Sequence, residues 1–282
     1  MRQAVMENET RASSKTKHHD HLEFVQGQIN FAQRAADENA PGIALSMQDM
    51  PMLPYDVTIR DARPIVSELS LDRQGFTLIQ HKISHANDGD RDIGYDKYLE
   101  EMVPFIKNYF NASWVVPRRQ GVVVRSAKAL RGVREPSVMA HIDYAPIAGP
   151  MLAAVEDRSQ DIPIRSYSRL MIVQAWHALS PPPQDFPLAF CDGGSVHDTD
   201  IAVVDYTYLG FTFKSCAVHF NPAHRWYYFP EMTANEFILF KGYDSEPHCN
   251  PKAAHSAFDN RRKHPNAEPR ESIEARFFVY YA

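Results

Sequence analysis

Cysteine is scarce in this chain. Its 282 residues hold three, Cys191, Cys216 and Cys249, odd in number and far apart. That spacing argues against a disulfide framework and suits a reducing cytoplasm. Long apolar runs are also missing. No segment approaches the roughly eighteen uninterrupted apolar residues of a membrane span, and the N-terminus lacks the apolar core of a signal peptide. Positive charge is not in excess: 30 Lys and Arg face 35 Asp and Glu, a formal net charge of -5. Electrostatics therefore give no reason to expect nucleic acid or an anionic membrane as partner. No internal repeat and no Gly/Ser or charged linker divides the chain.

What is present is ordinary for a globular protein, 44% hydrophobic and 23% charged. Residues 1–22 are polar and aperiodic and read as a mobile tail. From there to 282 the chain reads as a single domain, since barrels and sandwiches of this size are commonly one unit. Runs rich in β-branched and aromatic residues predict strands at 75–80, 121–125, 170–176, 201–206, 226–229, 236–241 and 272–281. Helices are expected at 95–110 and 147–156. The first carries a stripe of Tyr98, Met102, Ile106 and Tyr109, with Pro104 expected to kink it. Strands late and helices early suggest an α+β protein built on a double-sheet jelly roll.

Chemistry concentrates at His141-Ile142-Asp143. The same His-x-acid pattern occurs at His18/Asp20 and His21/Glu23, but those lie in a polar stretch with nothing to fix the backbone. His141 follows a short extended run, and in a strand residues two apart project to one side. His141 and Asp143 would then point together, as ligands of a shared metal must. Far downstream come His255 and the run Pro269-Arg270-Glu271-Ser272. Two imidazoles and a carboxylate can hold one face of Fe(II) and leave the opposite face open. On a strand, 270, 272, 274 and 276 share a face, so Arg270 or Arg276, with Ser272, could clamp a carboxylate. A planar guanidinium offers the two parallel donors that this needs. Read without further context, an exposed ion pair at Arg270 and a packed or surface histidine at His255 are the commoner outcomes.

At these residues the chain resembles the hydroxylase/desaturase family of oxygenases, which includes gibberellin-desaturase-like and cephem-methoxylase-related proteins. The matching stretches are 57–63, 70–76, 141–144, 187–192, 221–232, 240–245, 255–259 and 269–276. The most distinctive ends in Tyr227-Tyr228-Phe229-Pro230-Glu231-Met232. The resemblance covers about residue 25 to the C-terminus. It implies a double-stranded β-helix, a cupin-like jelly roll with flanking helices, holding Fe(II) on His141, Asp143 and His255. It further implies 2-oxoglutarate as cosubstrate on Arg270 and Ser272, O2 as oxidant, and a small-molecule substrate of natural-product or amino-acid metabolism. The wide separation of His141 from His255 implies an insertion between them. One departure is Gln174-Ala175-Trp176-His177-Ala178, where the family usually has Asn-x-Trp-Arg-Pro. Gln174, Trp176 and His177, with Tyr228, are therefore candidate substrate-pocket residues. A cupin-like metalloenzyme that does not use 2-oxoglutarate, and a non-catalytic binding subunit of the same fold, are the competing readings.

Overall fold

The computed structural model describes residues 19–34, 46–83, 91–118, 121–208, 210–249 and 251–282. Most of the expected tail, residues 1–18, lies outside them. At its end Leu22 is buried and Asp20 accepts from Arg60 at 2.8 Å.

Among the described residues fourteen strands build two facing sheets. The larger begins with β1 (Phe24–Ala32) and β2 (Met52–Asp61), antiparallel from Phe24↔Arg60 to Ala32↔Met52. It continues through β11 (Trp226–Tyr228), β8 (Leu188–Cys191), β13 (His255–Ala257) and β6 (His141–Ile142). It ends with β10 (Phe211–Val218) and β9 (Ile201–Tyr208). This sheet curls back on itself, because Asn30 on β1 also bridges Met139 just ahead of β6. The fold of the curl encloses Ile29, Phe31, Ile59, Ile142, Trp226 and Phe258.

The smaller sheet runs β3 (Phe76–Gln80), β12 (Glu236–Asp244), β7 (Arg169–Ala178), β14 (Glu271–Tyr281) and β4 (Trp114–Pro117). A further strand, β5 (Val123–Ser126), pairs with the start of β14. Strands β7, β12 and β14 are buried on both faces, which explains why they read as continuous apolar runs. Their outer face lies under α1 (Arg91–Phe110), whose Tyr98, Met102 and Ile106 pack on Ile273, Ala275, Phe277 and Val279 of β14. The helix continues through Pro104, and Tyr109, expected in the buried stripe, is 46% exposed. Helix α2 (Ala148–Ser159) covers the far end of the inner face, where Leu152 meets Ile172, Phe278 and Tyr280. The architecture is the α+β double-stranded β-helix jelly roll expected from the sequence.

The seven expected strands are all present. Those the sequence did not suggest include β1 and β2, and above all β13. The last spans three residues, too short to show any period.

Candidate active site

Strands β6 and β13 are short, but their register decides the site. His255 lies directly opposite His141 in an antiparallel pair, so both side chains leave the sheet on the same face. Asp143, two residues beyond His141, joins them. One ligand atom from each of the three lies within 4.8 Å of the others, and the two imidazole centroids are 4.4 Å apart. Each ring is oriented by the carbonyl two residues before it. His141 Nδ1 donates to Met139 O at 2.8 Å and His255 Nδ1 to Ala253 O at 3.1 Å. A carbonyl only accepts, so the proton sits on Nδ1 and the Nε2 lone pairs face Asp143. Those Nε2 atoms stand 3.9 and 3.6 Å from the carboxylate oxygens, beyond hydrogen-bond reach. Asp143 Oδ2 is buried without a hydrogen-bond partner. Three lone-pair donors thus converge with no proton between them, an arrangement that suits a cation.

The charge states fit. Burial and the neighbouring His255 push His141 down to about 4, and burial lowers His255 as well. Both rings are neutral near pH 7, the form that can donate to a metal. Burial alone would raise Asp143, but the charge on Arg276 leads the attractions that outweigh it and hold the carboxyl below its usual range.

The face of β14 opposite the triad carries Ser272, Glu274 and Arg276, which sit across from Ala178, Trp176 and Gln174 of β7. Arg270 precedes them. It is 1% exposed, donates Nη1 to Phe186 O at 2.9 Å, and lies over the Trp176 ring at 5.5 Å. Its Nε is buried and unpartnered, and among the described residues no carboxylate forms an ion pair with it. Burial pushes this guanidinium down to about 9. Arg270, His141 and His255 all line one inner cavity. Arg276, the other candidate clamp, is occupied: it pairs with Glu274 at 2.7 Å and Asp143 at 3.6 Å. Ser272 is buried beside Arg270 on the shared face.

Trp176 lines the inner cavity, and Gln174 is buried with both amide atoms unpartnered. The other two suggested pocket residues are displaced, and the correction has a simple cause. His177 alternates with Trp176 and points outward under α1, where its Nδ1 meets Tyr98 Oη at 3.2 Å. Tyr228 faces into the curl of the larger sheet, edge-on to Phe258 at 5.4 Å. His224 pairs with Asp200 at 3.2 Å and stacks near Phe31, apart from the triad. Sequence reasoning missed Arg125 and Glu274, which line the inner cavity. The alternation 270, 272, 274, 276 was the available signal for Glu274; Arg125, on another strand, had none.

Comparison with known proteins now adds to this geometry. Residues 24–280 match the family model described as an oxidoreductase/YMDC permease-like domain. The chain belongs to that family. No helix among the described residues is long and apolar enough to cross a membrane. The chain is 27% identical to the hydroxylase/desaturase efuI of Hormonema carpetanum, covering 90% of this chain and 94% of the relative. It is also 27% identical to the Fe(II)/2-oxoglutarate-dependent dioxygenase nvfI of Aspergillus novofumigatus, over 95% and 98%. A solved structure of the iron and alpha-ketoglutarate-dependent endoperoxidase NvfI superposes with a TM-score of 0.75 at 25% identity, covering 92% of this chain and 98% of that one.

Proposed function

We propose that this oxidoreductase is an Fe(II)- and 2-oxoglutarate-dependent oxygenase acting on an unactivated C–H bond of a small molecule of natural-product metabolism. The carrying observation is the meeting of His141, Asp143 and His255, with their lone pairs turned inward and Asp143 Oδ2 left without a hydrogen bond. These three side chains would hold the iron. Bound there with 2-oxoglutarate, Fe(II) supplies the activation of O2 that the protein's own groups cannot.

The chain's own residues position the reactants. The Met139 and Ala253 carbonyls fix the ring tautomers, and Arg276 holds Asp143 ionised. Arg270, aided by Ser272, would receive the distal carboxylate of 2-oxoglutarate across the inner cavity; its spare donors and missing counter-charge support that role. Trp176 forms the floor under the guanidinium and keeps water from it. A cupin-like enzyme without 2-oxoglutarate, or a non-catalytic subunit, would leave Arg270 a buried cation with no purpose. The relatives named as hydroxylase/desaturase, dioxygenase and endoperoxidase support C–H oxidation in general. In this reading residues 23–282 form one oxygenase domain behind a polar tail, working in the cytoplasm without nucleic acid or membrane as partner.

Anaerobic addition of Fe(II) and 2-oxoglutarate tests the assignment through the visible metal-to-ligand charge-transfer band. The wild-type chain should show it, His141→Ala should abolish it, and Arg270→Ala should need far more 2-oxoglutarate to form it. A normal band in both variants would overturn the site.

A further inference from the structure

A second pocket opens beside the first. Four guanidiniums line it, from Arg118, Arg125, Arg134 and Arg276, against a single carboxylate, Asp143. Arg276 is already neutralised by Glu274 and Asp143. The hydrogen bonds of the other three go to uncharged groups among the described residues. Arg118 donates Nη1 to Tyr144 Oη at 3.3 Å and lies over the Phe213 ring at 5.1 Å. Arg134 donates Nη1 to Tyr206 Oη at 3.2 Å and lies over the Tyr208 ring at 4.2 Å. Arg125 donates Nη1 to the Glu135 carbonyl at 2.8 Å. Among the described residues none of these three forms an ion pair with a carboxylate.

We propose that this outer pocket recognises its substrate as an organic carboxylate: a small acid with an apolar or aromatic body, gripped by Arg118, Arg125 and Arg134. Cations gathered out of water repel one another and lose hydration, a cost that an anionic guest offsets. Arg125 shows the strain: burial presses its charge down, and the pull of Glu274, opposed by Arg134 and Arg276, does not make up for it. Aromatic faces hold Arg118 and Arg134 in fixed planes, so their forks are set before a ligand arrives. Tyr206, Tyr208 and Phe213, with Met47 and Met139, supply the apolar wall for the rest of the guest. His141 and Asp143 line the same pocket, so an acid held there lies beside the candidate iron ligands. This substrate class rests on the iron reading above; Arg125 lines both pockets, but the other two anchors are separate from the cosubstrate's. Arg118 and Arg134 line only the outer pocket, while Arg270 lines only the inner one.

The test uses the full chain with Fe(II) and 2-oxoglutarate under argon, titrated by calorimetry with 2-naphthoate and with its neutral methyl ester. The acid should bind at least about tenfold more tightly than the ester. Arg134→Gln and Arg118→Gln should each erode that preference about tenfold while leaving the ester's affinity alone. Equal binding of acid and ester, undiminished acid binding in both variants, or no binding of the acid would overturn the proposal. So would loss of the charge-transfer band on adding naphthoate, because the acid would then be displacing 2-oxoglutarate. The comparison of acid with ester in the wild-type chain stands even where a variant fails to fold. Absence of the band before any naphthoate is added sinks the iron reading instead, and the two failures are thereby told apart.

Discussion

Two charged clusters lie in the interior, one complete on the smaller sheet and one open between the two sheets. In the complete cluster Lys241 on β12 donates to Asp244 at 2.7 Å and to the Cys249 carbonyl at 2.8 Å, and it also pairs with Asp72. Arg169 on β7 donates Nε to Asp244 at 2.9 Å, and the Glu246 backbone N–H takes the same carboxylate at 3.0 Å. No donor or acceptor of Lys241 or Asp244 is left over for a guest. In the open cluster Arg270 keeps a buried unpartnered Nε and Asp143 a buried unpartnered oxygen. Both places hold charge in the interior; only one of them satisfies it. A closed polar network holds a fold together, whereas spare buried donors and acceptors mark a place where something else binds.

The contrast can be broken most sharply by removing one cation from each cluster. Lys241→Met strands Asp244 in the interior and should cost about 3–5 kcal/mol in denaturant unfolding. It should leave 2-oxoglutarate affinity near wild type. Arg270→Leu strands no carboxylate, so the metal-free chain should change by roughly 1 kcal/mol or less. Its apparent affinity for 2-oxoglutarate, read from the charge-transfer band, should fall about tenfold or more. Equal destabilisation by the two variants would erase the distinction.

Acid should act on the open cluster next. His141 is held near 4 in the folded chain against an ordinary 6.5, so below 6.5 the unfolded state gains the proton first. Metal-free stability should therefore be complete above that pH and decline as pH falls towards 4, by up to about 3 kcal/mol. His141→Gln should flatten this limb, as pH-dependent thermal melts can show. The smallest effect belongs to His177→Phe, which removes a ring on the outer face of the sheet. The band and 2-oxoglutarate affinity should be unchanged, with at most about 1–2 kcal/mol lost through the Tyr98 contact. A large shift in affinity would return His177 to the site.

Much of the fold was legible because β7, β12 and β14 are buried on both sides and show as dense apolar runs. The strand holding His255 was not, since three residues carry no period. His177 was misplaced for an avoidable reason: alternation from Trp176 already puts it on the opposite face. Tyr228 could not be assigned in this way, because the sheet that holds it curls around a core of its own.

By itself the sequence determined that His141 and Asp143 project together, that Arg270 and Arg276 share a face, and that the chain resembles one oxygenase family. Those are properties of neighbours along a strand and of matching motifs, which need no knowledge of the remaining chain. Only the tertiary structure decided that His255 stands opposite His141. Only it gave Arg276 to Glu274 and Asp143, leaving Arg270 free. Pairing across strands sets which charges are neutralised, and residues far apart in sequence enter that balance only after the sheets have closed.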